Sequence, residues 1–135
     1  MILHQPGHTV MNEDARIAEL TQKMLRKKLY VLLSKPRVPA EKLKPDLPAH
    51  LEYMVALEKR GLVFASGPLT EFGAEPAGYG LTILRTKDAG EARAIAEAEP
   101  FFVHGLRTFE LKEWTVMEGT LGLRINLSDQ SVEIE

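Results

Sequence analysis

The spacing of apolar residues changes along this chain, and each change marks a new element. Ile17, Leu20, Met24 and Leu25 recur at i, i+3, i+7 and i+8, one stripe of an amphipathic helix predicted to begin at Asn12. Asn12 is its expected N-cap, and Arg26-Lys27-Lys28 complements the negative end of its dipole. Ahead of it, Met1 to Val10, with Pro6-Gly7 between His4 and His8, reads as a loose end. Leu29 to Ser34 is a short apolar run stopped by Lys35-Pro36, the mark of a buried strand. Four prolines (Pro36, Pro39, Pro45 and Pro48) then punctuate a loop. The next helix is predicted from Leu47 to Arg60, capped by Asp46, with Pro48 in its first turn and Gly61 as its stop. Leu51, Met54 and Val55 form its apolar face.

Leu62 to Ala65 is a second strand, entering a turn at Ser66-Gly67-Pro68. A loop over Leu69 to Gly78 leads to a third strand, Tyr79 to Arg85, in which Tyr79, Leu81 and Ile83 alternate with Gly80 and Thr82. Asp88 with Glu91 opens an Ala-rich helix that runs to Ala98, and Pro100 stops it. A fourth strand follows from Leu106 to Met117. Its apolar parity switches between Leu111 and Trp114, so a bulge or bend is expected near Glu113. After Gly119, the alternation of Leu121, Leu123, Ile125 and Leu127, the turn Ser128 to Ser131, and Val132 with Ile134 predict a hairpin with one buried side.

The core order is strand, helix, strand, strand, helix, strand. This is an α+β, ferredoxin-like pattern, an antiparallel sheet with both helices on one face. It divides the chain into an N-terminal extension (1–28), the ferredoxin-like domain (29–118) and the C-terminal hairpin (119–135). The other face of the sheet is also apolar, and a second copy is the economical cover, so a homodimer is expected.

Composition narrows the function. Lys and Arg number 17 against 19 for Asp and Glu, a net charge of −2, which provides no field for nucleic acid or an anionic membrane. There is no cysteine, which removes disulfides, thiolate metal sites and Cys nucleophiles and suits a cytoplasmic setting. The longest clean apolar run, Leu29 to Leu33, is far short of the roughly 20 residues that span a bilayer, and no secretory signal is readable.

Several stretches together carry a family resemblance. They are Pro48-Ala49-His50-Leu51, Gly61-Leu62-Val63-Phe64-Ala65-Ser66-Gly67-Pro68, the Ala-rich helix, and Glu99-Pro100-Phe101 followed by Gly105. Over Leu29 to Trp114 the chain resembles the YciI-like (YCII-related) family. The resemblance implies a dimeric α+β barrel of ferredoxin-like subunits, kinship of fold with muconolactone-isomerase-like enzymes, and an active site made of a histidine and an acidic residue, here His50 and Glu99. The family commonly has Arg where this chain has Leu47, and Asp where it has Glu99.

His50 is the strongest candidate for chemistry. It falls in the first turn of its helix, where the dipole disfavours a cation and a neutral base is reasonable. A histidine that merely packs there is the competing reading. Glu99 is expected to orient or protonate His50 or to act as a separate acid, with a solvated residue at a helix end as the competing reading. In a ferredoxin-like subunit, however, the two crossover helices are expected to run roughly parallel, which puts the start of one and the end of the other about 15–20 Å apart. A direct His50–Glu99 contact then needs a bend or the partner subunit.

Tyr53, Ser66, Gly67 and Pro68 are candidate pocket residues. Ser66 lacks the G-x-S-x-G setting of a nucleophile, and Gly67 permits a tight backbone path. His104 stands in a loop without a recognisable partner. No metal-binding or nucleotide-binding motif is present, so neither a metal nor another cofactor is expected.

The expected function is a cofactor-free lyase, isomerase or dehydrochlorinase-like enzyme. It would act on a small aromatic or lactone compound, with His50 as acid/base. The alternative is a small-molecule binding or sensing dimer without turnover. The apolar sheet face makes the first prediction: light scattering should give a mass near twice 15.1 kDa, and a stable monomer at micromolar concentration would refute the dimer.

Overall fold

A computed structural model describes residues 6–72 and 78–135, with only the backbone given for 6–11. His4 and residues 73–77 of the loop after the second strand lie outside the described residues. The chain divides into two compact units, residues 27–115 and a second made of residues 1–26 with 116–135.

The second unit opens with α1 (Pro6–Thr21). It begins six residues before the expected Asn12, because proline is tolerated in a first turn, where its missing N–H has no partner to lose. Its end also comes early. The Thr21 hydroxyl turns back onto the Ile17 carbonyl (2.9 Å) and Arg26 adopts φ +54°, so Met24 and Leu25 fall beyond the helix.

The larger unit then runs through β1 (Lys27–Pro36), a short helix α2 (Ala40–Leu43), a 3-10 turn (Lys44–Asp46) and α3 (Leu47–Lys59). It continues with β2 (Val63–Leu69), β3 (Tyr79–Leu84), α4 (Ala89–Glu97), the short α5 (Pro100–Val103) and β4 (Arg107–Val116). The sheet order is β2-β3-β1-β4, and β3 pairs antiparallel with both β1 and β2. This is the ferredoxin-like order expected from the sequence.

Its core forms where Tyr30 of β1 and Leu84 of β3, direct partners in register, meet Ala92 of α4. Val63, Ile95 and Leu111 pack around them. Ala92 and Ala96 expose no surface, because a side chain of one methyl lets the helix backbone approach the sheet.

Local signals explain most boundaries. Asp88 accepts the Glu91 N–H at 2.8 Å and so caps α4. Gly61 takes φ +76° after α3, and the Leu62 N–H returns to the Leu57 carbonyl, closing the helix as a glycine stop does. Three expectations change. Asp46 makes no cap bond and instead accepts from the His104 ring at 2.6 Å, which gives that histidine a partner. Ser66-Gly67-Pro68 is no turn: β2 runs straight through it, since the outer side of an edge strand needs no N–H from Pro68. Pro100 ends α4 but also starts α5, whose N-cap is Glu99. Along β4 the inward alternation of Arg107, Phe109 and Leu111 lapses from Lys112 to Thr115, around the expected change of parity at Glu113.

In the second unit, β5 (Leu123–Asn126) and β6 (Ser131–Ile134) pair as the predicted hairpin, with Leu123 opposite Ile134 and Ile125 opposite Val132. The expected burial of one side is not met within the single chain: Leu123 remains 69% exposed and Ile134 83%. No helix among the described residues is long and apolar enough to cross a membrane.

The contact of α4 with the sheet generates a prediction. Ala92→Leu should destabilise the chain by about 1–3 kcal/mol, since the extra methylenes have no space beside Tyr30 and Leu84. Urea unfolding would check it, and an unchanged midpoint would refute this packing account.

Candidate functional site

Because β1 and β3 are antiparallel, the helices that follow them are antiparallel as well. The start of α3 therefore lies beside the end of α4. The parallel arrangement and the wide gap expected from the sequence are both overturned: His50 Nδ1 lies 2.6 Å from Glu99 Oε1. A carboxylate offers only acceptors, so Nδ1–H donates and Nε2 keeps its lone pair for a ligand.

Glu99 is 3% exposed, and its second oxygen accepts the Phe101 N–H at 3.2 Å. One carboxylate thus caps α5 and orients the imidazole. The ring of His50 stacks on Phe101, with centroids 4.7 Å apart and planes at 28°. The side chain of His50 is 27% exposed, so it is held yet still reachable.

His50 and Glu99 line a cavity of about 890 Å³. Leu47, Leu51, Met54 and Val55 of α3 give it an apolar wall, and Ser66, Gly67 and Pro68 of β2 border it on the sheet side. The half-exposed apolar face of α3 thus looks into a ligand-sized space. Ser66 shares a hydrogen bond of 2.7 Å with Thr82, its partner in register.

Tyr53 is placed elsewhere. It is absent from the residues lining this cavity, and its hydroxyl donates to the Ile95 carbonyl at 2.7 Å, tying α3 to α4. Burial raises its pKa, the charge of Glu99 raises it further, and Arg60 opposes both.

One lining residue, Arg107, was missed by the sequence reading. It stands at the start of β4, where Nε donates to Ser34 Oγ (2.6 Å) and Nη2 donates to the Gly78 carbonyl. Gly78 is fixed as glycine by φ +84° and by Pro36, whose Cγ would lie 2.8 Å from an added Cβ. No sequence motif marks Arg107; only the pairing of β1 with β4 carries it to Ser34. Among the described residues, no cluster of three His, Asp or Glu side chains is arranged to hold a metal ion.

Residues 28–115 match the model of the YCII-related domain. The chain belongs to this family. No curated protein matches it. Among solved structures it is similar to 5-chloro-2-hydroxyhydroquinone dehydrochlorinase from Burkholderia phenoliruptrix AC1100, determined in complex with 2,5-dihydroxybenzoquinone. The match has 20% identity and a TM-score of 0.56, and it covers 64% of this chain and 93% of that one. At this identity the likeness is one of fold.

The Tyr53 contact yields a pH-dependent prediction. Tyr53→Phe should lower stability by about 1 kcal/mol at neutral pH through loss of the bond to Ile95. Since the folded phenol keeps its proton above the ordinary value of 10.0, the unfolded chain ionises first. Stability therefore falls as pH rises through that window, and the advantage of Tyr over Phe shrinks with it. Parallel urea melts at neutral pH and above pH 10 would show this, and a constant difference would contradict it.

Proposed function

We propose that this YCII-related protein is an enzyme that moves a proton on a small ring compound, aromatic or lactone, with His50 as the acid/base. The observation that carries the reading is the 2.6 Å contact of His50 with a buried carboxylate at the wall of a ligand-sized cavity. Glu99 fixes the tautomer and stabilises the imidazolium that forms when Nε2 takes up a proton. Removing a proton from a carbon next to a carbonyl sends the bonding pair to oxygen as an enolate. Its return at another carbon completes an isomerisation. Expulsion of a halide from the neighbouring carbon, which leaves with its bonding pair, completes a dehydrohalogenation. Neither course needs an oxidant, a metal or another cofactor. The similar dehydrochlorinase, bound to a hydroxylated quinone, supports a substrate of this class.

The reading includes a cytoplasmic homodimer. Opposite the helices the sheet presents Leu33, Leu81 and the half-exposed Tyr79, a surface that a second copy would cover.

The test is turnover of 5-chloro-2-hydroxyhydroquinone, other halogenated hydroquinones and unsaturated lactones, followed by chloride release and absorbance. His50→Ala and His50→Gln should both retain the fold and lose about 10²–10⁴-fold in rate, since neither takes up the proton. Binding of these compounds without turnover in the wild type would overturn the enzymatic reading in favour of a ligand-binding protein.

A further inference from the structure

The cavity beside His50 holds a cation, Arg107, that forms no ion pair among the described residues. Of the fixed charges that line it, Glu41, Lys44 and Glu58 are exposed, whereas Glu99 is buried and Arg107 partly buried. Both oxygens of Glu99 are engaged, by His50 and by the Phe101 N–H. Among the described residues, no carboxylate lies within ion-pair distance of Arg107.

Two nitrogens of its guanidinium are committed to neutral acceptors, Ser34 Oγ and the Gly78 carbonyl. The third, Nη1, has no partner among the described residues, and no buried side-chain polar atom there lacks one, so Nη1 opens onto accessible space. Phe101 links the two polar groups of the cavity: His50 stacks on its ring, and Arg107 Cζ lies 5.8 Å from its centroid. Burial lowers the pKa of Arg107, with Glu99 opposing the shift. A partly buried cation whose orientation is fixed by neutral bonds is prepared for an anion that arrives from outside the protein.

We infer that Arg107 is the specificity-determining anion holder of this cavity and that the ligand is a planar ring compound bearing an ionised oxygen. Nη1 donates to that oxygen while His50 Nε2 faces the proton to be moved. This deepens the proposed function, because an enolate oxygen gains charge as the ring proton leaves, and a preorganised donor favours that charge. The anion preference itself is a binding property and does not require turnover.

The test uses three probes on the intact protein, followed by calorimetric titration. They are 2,5-dihydroxybenzoquinone, whose enolic hydroxyls ionise readily; benzoate, whose anion is a carboxylate; and hydroquinone, neutral near neutral pH. The wild type should bind the ionised quinone at least tenfold more tightly than hydroquinone, in line with the roughly 10- to 100-fold of a charge-assisted hydrogen bond. Tight benzoate binding would extend the site to carboxylates, and weak benzoate binding would confine it to ring oxyanions; both support an anion holder.

Arg107→Met should abolish the preference for the anion and leave hydroquinone affinity within about twofold. Arg107→Lys should restore only part of it, since an ammonium cannot hold Ser34, Gly78 and the ligand in one plane. His50→Gln should leave the preference intact. Equal wild-type affinity for the ionised quinone and hydroquinone would overturn the inference, and so would an Arg107→Met protein that keeps the preference. If Arg107→Met lacks a cooperative melt, the wild-type comparison decides alone. Absence of turnover with the preference intact would discard the proton-transfer reading and keep this one.

Discussion

The antiparallel pairing of β1 with β3 is the constraint on which the rest depends. Each crossover helix returns over the strand it leaves, so two antiparallel strands produce two antiparallel helices. The first turn of α3 then meets the last turn of α4. This single relation brings His50 to Glu99, places the Tyr53 hydroxyl on the Ile95 carbonyl, and opens the apolar face of α3 over the sheet. Had the two strands been parallel, the same helices would have held the same residues at opposite ends.

Burial of the Glu99 carboxylate is admissible only because it is hydrogen-bonded on both oxygens. An unsatisfied buried carboxylate is strongly disfavoured, and removal of one partner leaves that burden on the other. The site therefore supports itself: the residue that orients His50 also caps α5, and α5 carries the Phe101 ring on which His50 stacks. Proline at position 100 suits both tasks. It ends α4 and fixes the first turn of α5 without leaving an N–H unpaired.

The cavity combines an apolar wall with few polar groups, the composition expected of a small-molecule site. Leu47, in the first turn of α3, contributes to that wall. Positive charge enters from the opposite layer instead, through Arg107 at the start of β4. Charge on that strand is anchored to the sheet by Ser34, whereas the dipole disfavours a cation in the first turn of α3.

What the sequence determined by itself was everything carried by local spacing. The order of the sheet strands and the two long helices of the larger unit, the Asp88 cap, the Gly61 stop and the existence of the C-terminal hairpin follow from periods and turn residues within a few positions. The motifs around His50 and Glu99 were legible for the same reason, and they sufficed to point to the family. The tertiary structure decided what depends on strands far apart in the chain. It brought His50 and Glu99 into contact across 49 positions and Arg107 to Ser34 across 73, and it kept Ser66-Gly67-Pro68 extended by pairing it with β3. Those outcomes rest on strand direction and sheet order, and local periodicity is identical for a strand running either way.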